Sequence, residues 1–353
     1  MELGSEYNLS LTSLSIVKDN IFCYLSDYEY CYYFDSGRSA LRHLINQLHC
    51  CDHVLLPEFI CESVTNCFDR HQVSYYKLKN NFSIDLDDLW GKIQHRNTIV
   101  FIMHYFGALQ NPEILSEVRS LADENGAIVI EDTTHSIFTK SQTIGDYMIC
   151  SIRKWLPLPG GGSLHYNQNR CNITEPDYHK STDNYRSYGM VLKDLYLKTG
   201  YDCNLEYRRI FSDSERRLDN QKEIYEISDF AKYIASCVDV GESKLARKHN
   251  YDLLNNYLMR SGIKPVVELR ESDIPLVYPI RVKNRDKLRA YLMDNKIYCA
   301  VHWPFDNHQP EQRPFAIKNA EELISLPIDQ RYDEEHIQYM IDVLSRYGGD
   351  LLF

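Results

Sequence analysis

Residues 98–132 read TIVFIMHYFGALQNPEILSEVRSLADENGAIVIED. Thr98–Met103 has the length and continuity of a buried strand. Asn111-Pro112-Glu113 then supplies a capping side chain followed by a proline at the first helical position. Ile114, Leu115, Val118, Leu121 and Ala122 recur at helical spacing, and Gly126 closes the helix. Ala127–Ile130 is a second continuous apolar run, with Glu131-Asp132 directly after it. Strand, helix and strand in this order make a βαβ unit, and strands apolar throughout belong to a parallel sheet covered on both faces. Outward from this stretch, Leu41, Leu44, Ile45 and Leu48 share one face of a helix expected over 38–48, and residues 54–56 form a short strand. Residues 147–151 form a further strand that runs into Arg153-Lys154. The class expected is therefore α/β, with a mainly parallel sheet sandwiched by helices.

Residues 167–226 are polar and weakly periodic, which predicts a long surface excursion with some helix. From about residue 241 the pattern changes to a charged helix (242–258), a strand (276–282), a helix with Leu288, Tyr291 and Leu292 on one face, a strand at 297–302, and a last helix carrying Ile337, Met340, Ile341 and Leu344. The expectation is a large domain over 1–240 and a smaller α+β domain over 241–353.

Composition narrows the function. Net charge is −11, from 39 basic and 50 acidic side chains, whereas a nucleic-acid binder needs a basic surplus to displace counterions. No apolar run approaches the roughly 20 residues of a bilayer span. The opening MELGSEYNLS is acidic where an export signal is basic, so the expectation is a cytoplasmic chain without a membrane partner. The 11 cysteines are odd in number and scattered without a CxxC pair, which suits reduced core residues rather than disulfides or zinc. No HxxxH or HxH occurs, and no metal is expected.

In parallel sheets, ligands bind beyond the carboxyl ends of the strands. Here those ends carry His104 after one strand, Asp132 and His135 after the next, and Ser151 and Lys154 after the third. A lysine in a partly apolar pocket loses solvation of its charged form, becomes nucleophilic, and can form a Schiff base with an aldehyde cofactor. A strand-end carboxylate such as Asp132 can hold the proton on a pyridine nitrogen, which makes pyridoxal phosphate an electron sink. Ser36-Gly37-Arg38-Ser39 precedes the first strong helix, where exposed N–H groups and the helix dipole favour a phosphate; plain capping by Ser36 or Ser39 is the simpler reading. Gly160-Gly161-Gly162 has no nucleotide-binding pattern and reads as a tight turn. His104 and His135 are candidates for contact with a cofactor ring or its phenolic oxygen, and His104 also for the substrate, with a core or surface role as the alternative. His302-Trp303 is a candidate edge of a substrate pocket or a packing feature.

Taken in order, these segments resemble the DegT/StrS-type sugar aminotransferases, pyridoxal-phosphate enzymes of the aspartate aminotransferase-like fold (fold type I, with a seven-stranded-type sheet). The resemblance runs through FDSGRSAL (34–41), VLLPEFICESV (54–64), NNFSIDLDDL (80–89), HYFGALQNPEILSEVRSLADENGAIVIEDTTHS (104–136) and GDYMICSIRKWLPLPGGGSL (145–164). It continues through PIRVKNRDKLRAYLMDNKIYCAVHWP (279–304) and LISLPIDQRYDEEHIQYMIDVL (323–344). It implies Lys154 as the Schiff-base and proton-shuttling lysine, Asp132 on the pyridine nitrogen and His135 near the phenolic oxygen. Backbone N–H groups of Gly37 and Arg38, with a hydroxyl of Ser39 or Ser151, would meet the phosphate. Phe59 would be the aromatic on the ring, with Cys61 aligning almost as well. It further implies transfer of an amino group from an amino acid, most often glutamate, to a nucleotide-linked keto-sugar, and a homodimer with shared active sites. Such chemistry serves surface polysaccharides or glycosylated metabolites. Two departures stand out. The family's serine lies five residues before its lysine, whereas Ser151 lies three before Lys154; and its asparagine-bearing NYRMSEIQA segment is replaced by YEISDFAKYIAS (225–236). A dehydratase or lyase, or a non-catalytic binding subunit on the same fold, are the competing readings; Lys154 argues against the dehydratase branch, which carries His there.

Overall fold

The computed structural model describes residues 1–12, 14–93, 97–140, 143–179, 185–305 and 308–347. The strands used below are β1 (Tyr30–Phe34), β2 (His53–Pro57), β3 (Gln72–Tyr76), β4 (Thr98–Met103), β5 (Ile128–Asp132), β6 (Tyr147–Cys150), β7 (Gly162–Tyr166), β8 (Tyr278–Arg281) and β9 (Leu323–Leu326). The helices are α1 (Gly37–Gln47), α2 (Pro112–Asn125), α3 (Tyr185–Thr199), α4 (Asn204–Asn220), α5 (Val240–Arg260), α6 (Arg285–Asp294) and α7 (Glu334–Ser345). The chain divides into two compact units. One comprises residues 1–5, 50–145 and 242–353, the other 6–49 and 146–241. This partition differs from the expected 1–240 and 241–353, though its border between Gly241 and Glu242 lies one residue from the expected one.

The first unit holds four parallel strands in the order β5-β4-β2-β3. Thr98–Met103 and Ile128–Asp132 are buried along their whole length, as strands covered on both faces must be. Their register sets Met103 beside Asp132, so both strands end at the same level. Helix α2 between them begins where expected: Asn111 Oδ1 accepts the Glu113 N–H at 2.7 Å, and Pro112 occupies the first turn. Leu115, Val118, Leu121 and Ala122 are buried, and the helix stops at Gly126, whose φ of 64° is left-handed. The antiparallel pair β8-β9 and helices α6 and α7 belong to the same unit. They surround a second core that includes Leu288, Leu292, Ile337, Met340 and Leu344.

The second unit holds β1, β7 and β6, joined antiparallel in that order. Helix α1 packs on β7 and β6 through the face that includes Leu41 and Leu44. Ser36 caps α1: its Oγ accepts the Ser39 N–H at 3.1 Å. A side chain at Gly162 would put its Cβ 2.3 Å from the Ser36 carbonyl and 2.4 Å from the Gly37 nitrogen. Only glycine lets β7 pass this close to the start of α1. The excursion at 167–226 contains two long helices, α3 and α4, which pack on each other. Four strands in the first unit's sheet and three in the second make an α/β protein with a mainly parallel central sheet, as the sequence predicts.

Gly162→Ala should lower stability by about 1–3 kcal/mol through overpacking against fixed backbone. Gly126→Ala, which meets open space but keeps a positive φ, should cost about 1 kcal/mol. Urea midpoints of both variants check the order.

Candidate active site

The second unit carries the lysine half of the expected site. Strand β6 ends at Cys150, Ser151 follows, and Ile152–Lys154 form one tight helical turn. A Cβ added to Gly37 would stand 3.1 Å from the Ser151 Cβ, so Ser151 abuts the first turn of α1. The N–H groups of that turn and the Ser151 side chain therefore share one locality, the arrangement an anion needs. The Ser36 and Ser39 hydroxyls are engaged with each other at 3.1 Å, and Gln221 Nε2 also donates to Ser39. Ser36 caps the helix and both hydroxyls also bond to Asp35, which leaves backbone N–H groups as the anion donors of this segment. The Arg38 guanidinium leads to α4, where it pairs with Asp219 and, at 3.5 Å, with Glu215.

The partly apolar pocket expected around Lys154 is not what the chain provides. The turn directs Trp155 and Leu156 inward, both fully buried, and leaves Lys154 exposed. Its electrostatic neighbours are carboxylates: Lys154 helps hold Glu6 and Glu215 below the ordinary carboxylate range against the upward push of burial. Stronger contributions come from Arg153 and Arg186. Arg153 grips Glu215 in a fork, with contacts of 2.6 and 3.0 Å.

The first unit carries the carboxylate half. Asp132 is buried at the carboxyl end of β5. Its Oδ1 accepts the Thr134 N–H at 2.8 Å, and the Thr134 side chain also bonds to it. Burial raises its pKa despite these bonds, since no Lys or Arg among the described residues pairs with it. Next to it in sequence, Glu131 points to the opposite face of the strand. There Glu131 Oε1 accepts from His104 Nε2 at 2.9 Å and Oε2 accepts the N–H groups of Ile144 and Gly145, both at 2.9 Å. Burial alone would raise the Glu131 pKa, but these donors outweigh it and the net shift is downward.

His104 is fully buried, and its Nδ1 accepts the Gln110 N–H at 3.0 Å. With both ring nitrogens engaged on the face away from Asp132, it is a packing and hydrogen-bonding residue, which corrects the substrate-contact expectation. The other expected residues of this unit come together. Trp303 lies 5.5 Å from His135 in a stacked arrangement and 5.1 Å from Phe59, and His302 lies 5.3 Å from His135. Phe59 is buried among Phe82, Tyr105 and Phe315 as well. His135 Nδ1 accepts the Phe106 N–H at 3.3 Å, and His302 Nδ1 meets Ser325 Oγ at 2.9 Å. Cys61, the alternative to Phe59, contacts Ser63 instead. The sequence reading missed Glu131, which was legible as a charged residue inside an otherwise apolar strand. It also missed Glu6, Arg186 and Glu215, for which nothing local stands out.

Residues 20–153 match the sequence model of the DegT/DnrJ/EryC1/StrS aminotransferase family. Over that stretch the chain is similar to these aminotransferases. The match ends one residue before Lys154. The pleiotropic regulatory protein of Geobacillus stearothermophilus is 24% identical over 285 residues, covering 75% of this chain and 69% of that protein. The dTDP-3-amino-3,6-dideoxy-alpha-D-galactopyranose transaminase of Aneurinibacillus thermoaerophilus is 26% identical over 92 residues, 24% of this chain and 25% of the relative. Among solved structures, the sugar aminotransferase CalS13 from Micromonospora echinospora superposes with a TM-score of 0.67 at 14% identity, covering 98% of this chain and 100% of its own. A DegT DnrJ EryC1 StrS aminotransferase from Brucella abortus gives 0.66 at 16%, covering 95% and 92%. At these identities the superpositions establish the fold. The resemblance read from the sequence and the transaminase class it implies agree with the family match.

The two adjacent carboxylates should respond oppositely to neutralisation. Asp132 has a raised folded pKa, so its ionised form weakens the fold at neutral pH; Asp132→Asn should raise the unfolding midpoint at pH 7 by roughly 1 kcal/mol equivalent. Glu131 has a lowered folded pKa and stabilises above the unfolded carboxylate pKa; Glu131→Gln should cost about 1–3 kcal/mol. Both differences from wild type should shrink as the pH falls below about 4. Thermal melts from pH 3 to 8 check the signs.

Proposed function

We propose that this chain is a pyridoxal-phosphate-dependent aminotransferase that moves an amino group from an amino acid, with glutamate the first donor to test, to a nucleotide-linked keto-sugar. The observation that carries the reading is Asp132: a carboxylate buried at the end of a parallel strand, where burial raises its pKa against the Thr134 bonds and the attraction of His104, and with no Lys or Arg paired to it among the described residues. A protonated ring nitrogen is the partner such a group lacks. In the second unit, the start of α1 beside Ser151 suits a phosphate. When bound, pyridoxal phosphate supplies a conjugated aldehyde and a protonated pyridine that withdraws electrons.

On this reading Asp132, oriented by Thr134, holds the proton on the ring nitrogen. The N–H groups of Gly37 and Arg38 and the Ser151 hydroxyl bind the phosphate. Lys154 would provide the amine that holds the aldehyde and the base that moves a proton. His135, Phe59 and Trp303, whose rings meet one another through Trp303, would flank the cofactor ring, and His302 and Trp303 would border the acceptor. The dTDP-amino-sugar transaminase among the relatives supports a sugar nucleotide as acceptor. A homodimer with shared sites, a cytoplasmic location and a role in surface polysaccharide or glycosylated-metabolite synthesis rest on the family resemblance. No helix among the described residues is long and apolar enough to cross a membrane.

One observation favours a second reading. Lys154 is exposed in a loop beyond the family match, and a regulatory protein is among the relatives, so a non-catalytic binding subunit is the alternative.

Purified protein mixed with pyridoxal phosphate should turn yellow, and borohydride should fix the cofactor to the peptide carrying Lys154. Lys154→Ala should abolish the fixation. Glutamate should then convert bound cofactor to its amine form, and a panel of keto-sugar nucleotides should reverse the change. Cofactor binding without conversion by any amino donor would favour the binding subunit, and absence of labelling at Lys154 would end the enzymatic reading.

A further inference from the structure

Strand β8 ends at Arg281, a half-buried residue whose guanidinium is fixed by its neighbours. Its Nε donates to Asn319 Oδ1 at 3.1 Å, and its Nη2 to the Asn80 carbonyl at 3.0 Å. Asn319 is itself oriented, because its Nδ2 donates to the Phe315 carbonyl at 2.8 Å. The ring centres of Phe82 and Phe315 lie 5.5 and 5.9 Å from the guanidinium carbon. Phe82 holds its ring there with a φ of 65°, a left-handed conformation that strains a non-glycine residue and that gathers at ligand sites. Among the described residues no carboxylate pairs with Arg281, and its Nη1 makes no hydrogen bond. Burial pulls its pKa below the ordinary arginine value, against the attraction of Glu322.

Arg281 lines a cavity of about 600 Å³ bounded by residues 80–83, Tyr105, 108–112 and 265–270, all within the first unit. That volume suits a small molecule. We propose that this cavity binds a small oxyanion, a carboxylate or a phosphate, with Arg281 as its anchor. The inference is separate from the aminotransferase reading, since none of the residues assigned there to cofactor or acceptor contributes. With Nε committed to Asn319 and one Nη2 hydrogen to Asn80, Nη1 and the second Nη2 hydrogen remain. Two such parallel N–H groups match two oxygens of a carboxylate or phosphate. Asn81 and Asn111 add donors to the walls: their side-chain oxygens accept N–H groups of Ser83 and Glu113, which leaves their amide hydrogens available. Of the other charged residues on the walls, Arg270 is paired with Asp273 at 3.3 Å, and Glu268 opposes an anion.

The test uses full-length protein, phenylglyoxal as an arginine reagent, and mass spectrometry of the peptide carrying Arg281. Sodium phosphate or sodium acetate replaces sodium chloride at equal ionic strength. A bound oxyanion shields the guanidinium, so at least one of the two salts should slow modification of Arg281 about tenfold or more. The exposed Arg289 should keep its chloride rate. Protection by phosphate, by acetate or by both identifies the source of the oxyanion. Titration calorimetry with the protecting salt should give a binding heat that Arg281→Gln abolishes, and Glu268→Gln should increase protection by removing a like charge. Equal Arg281 rates in all three salts, equal slowing at Arg289, an unchanged heat in Arg281→Gln or weaker protection in Glu268→Gln would overturn the proposal. Protection is read on wild-type protein, so the comparison of salts decides the matter even where Arg281→Gln fails to fold.

Discussion

Water is excluded from the Asp132 carboxylate, and the rest of the first unit is arranged around that exclusion. Ionised carboxylates are stable in protein interiors only when charge or donors replace their hydration. On one face of β5 this replacement is complete: Glu131 receives His104 and two backbone N–H groups and is held ionised. On the other face it is partial, since Thr134 is the bonding partner of Asp132 among the described residues. Two neighbouring acids thus sit in nearly equal burial with opposite pKa shifts. The one with more donors is held ionised, and the one with fewer has its pKa raised by burial. This division of labour between adjacent groups marks a functional site better than burial does.

A different solution operates where Lys154 lies. The side chain is exposed, and on the preceding position Arg153 grips Glu215 in a fork.

Much of this was legible in the residues. The βαβ unit over 98–132 was readable because capping, proline placement, helical spacing and glycine termination all agreed. The helices with clean apolar faces, α1 and α7, were readable for the same reason. Strands β1 and β3 escaped notice because half-buried, tyrosine-rich segments such as YCYYF and QVSYY lack a clear alternation. The helices within 167–226 were underestimated because they pack mainly on each other and carry dense charge. At the site, strand-end position identified Asp132, and proximity to aromatic partners later gathered Phe59, His135, His302 and Trp303. Local sequence could not tell which way each strand-end group points, and that is why His104 was assigned to substrate when its ring serves Glu131. Long-range ion pairs are invisible to local reading altogether: Glu215 lies 62 positions from Arg153 and 177 from Arg38.

The serine hydroxyls at the start of α1 are occupied with capping and with Asp35, so any anion held there is gripped by the main chain. Main-chain donors are the same for every amino acid except proline. Drift at positions 36 to 39 can therefore erase the recognisable lettering of such a cradle while its grip persists. The position that cannot drift is a neighbour far along the chain, Gly162, where the absence of a side chain leaves room for the turn. In distant kin of this protein, the durable signature of the cradle would be a solitary glycine on an adjoining strand.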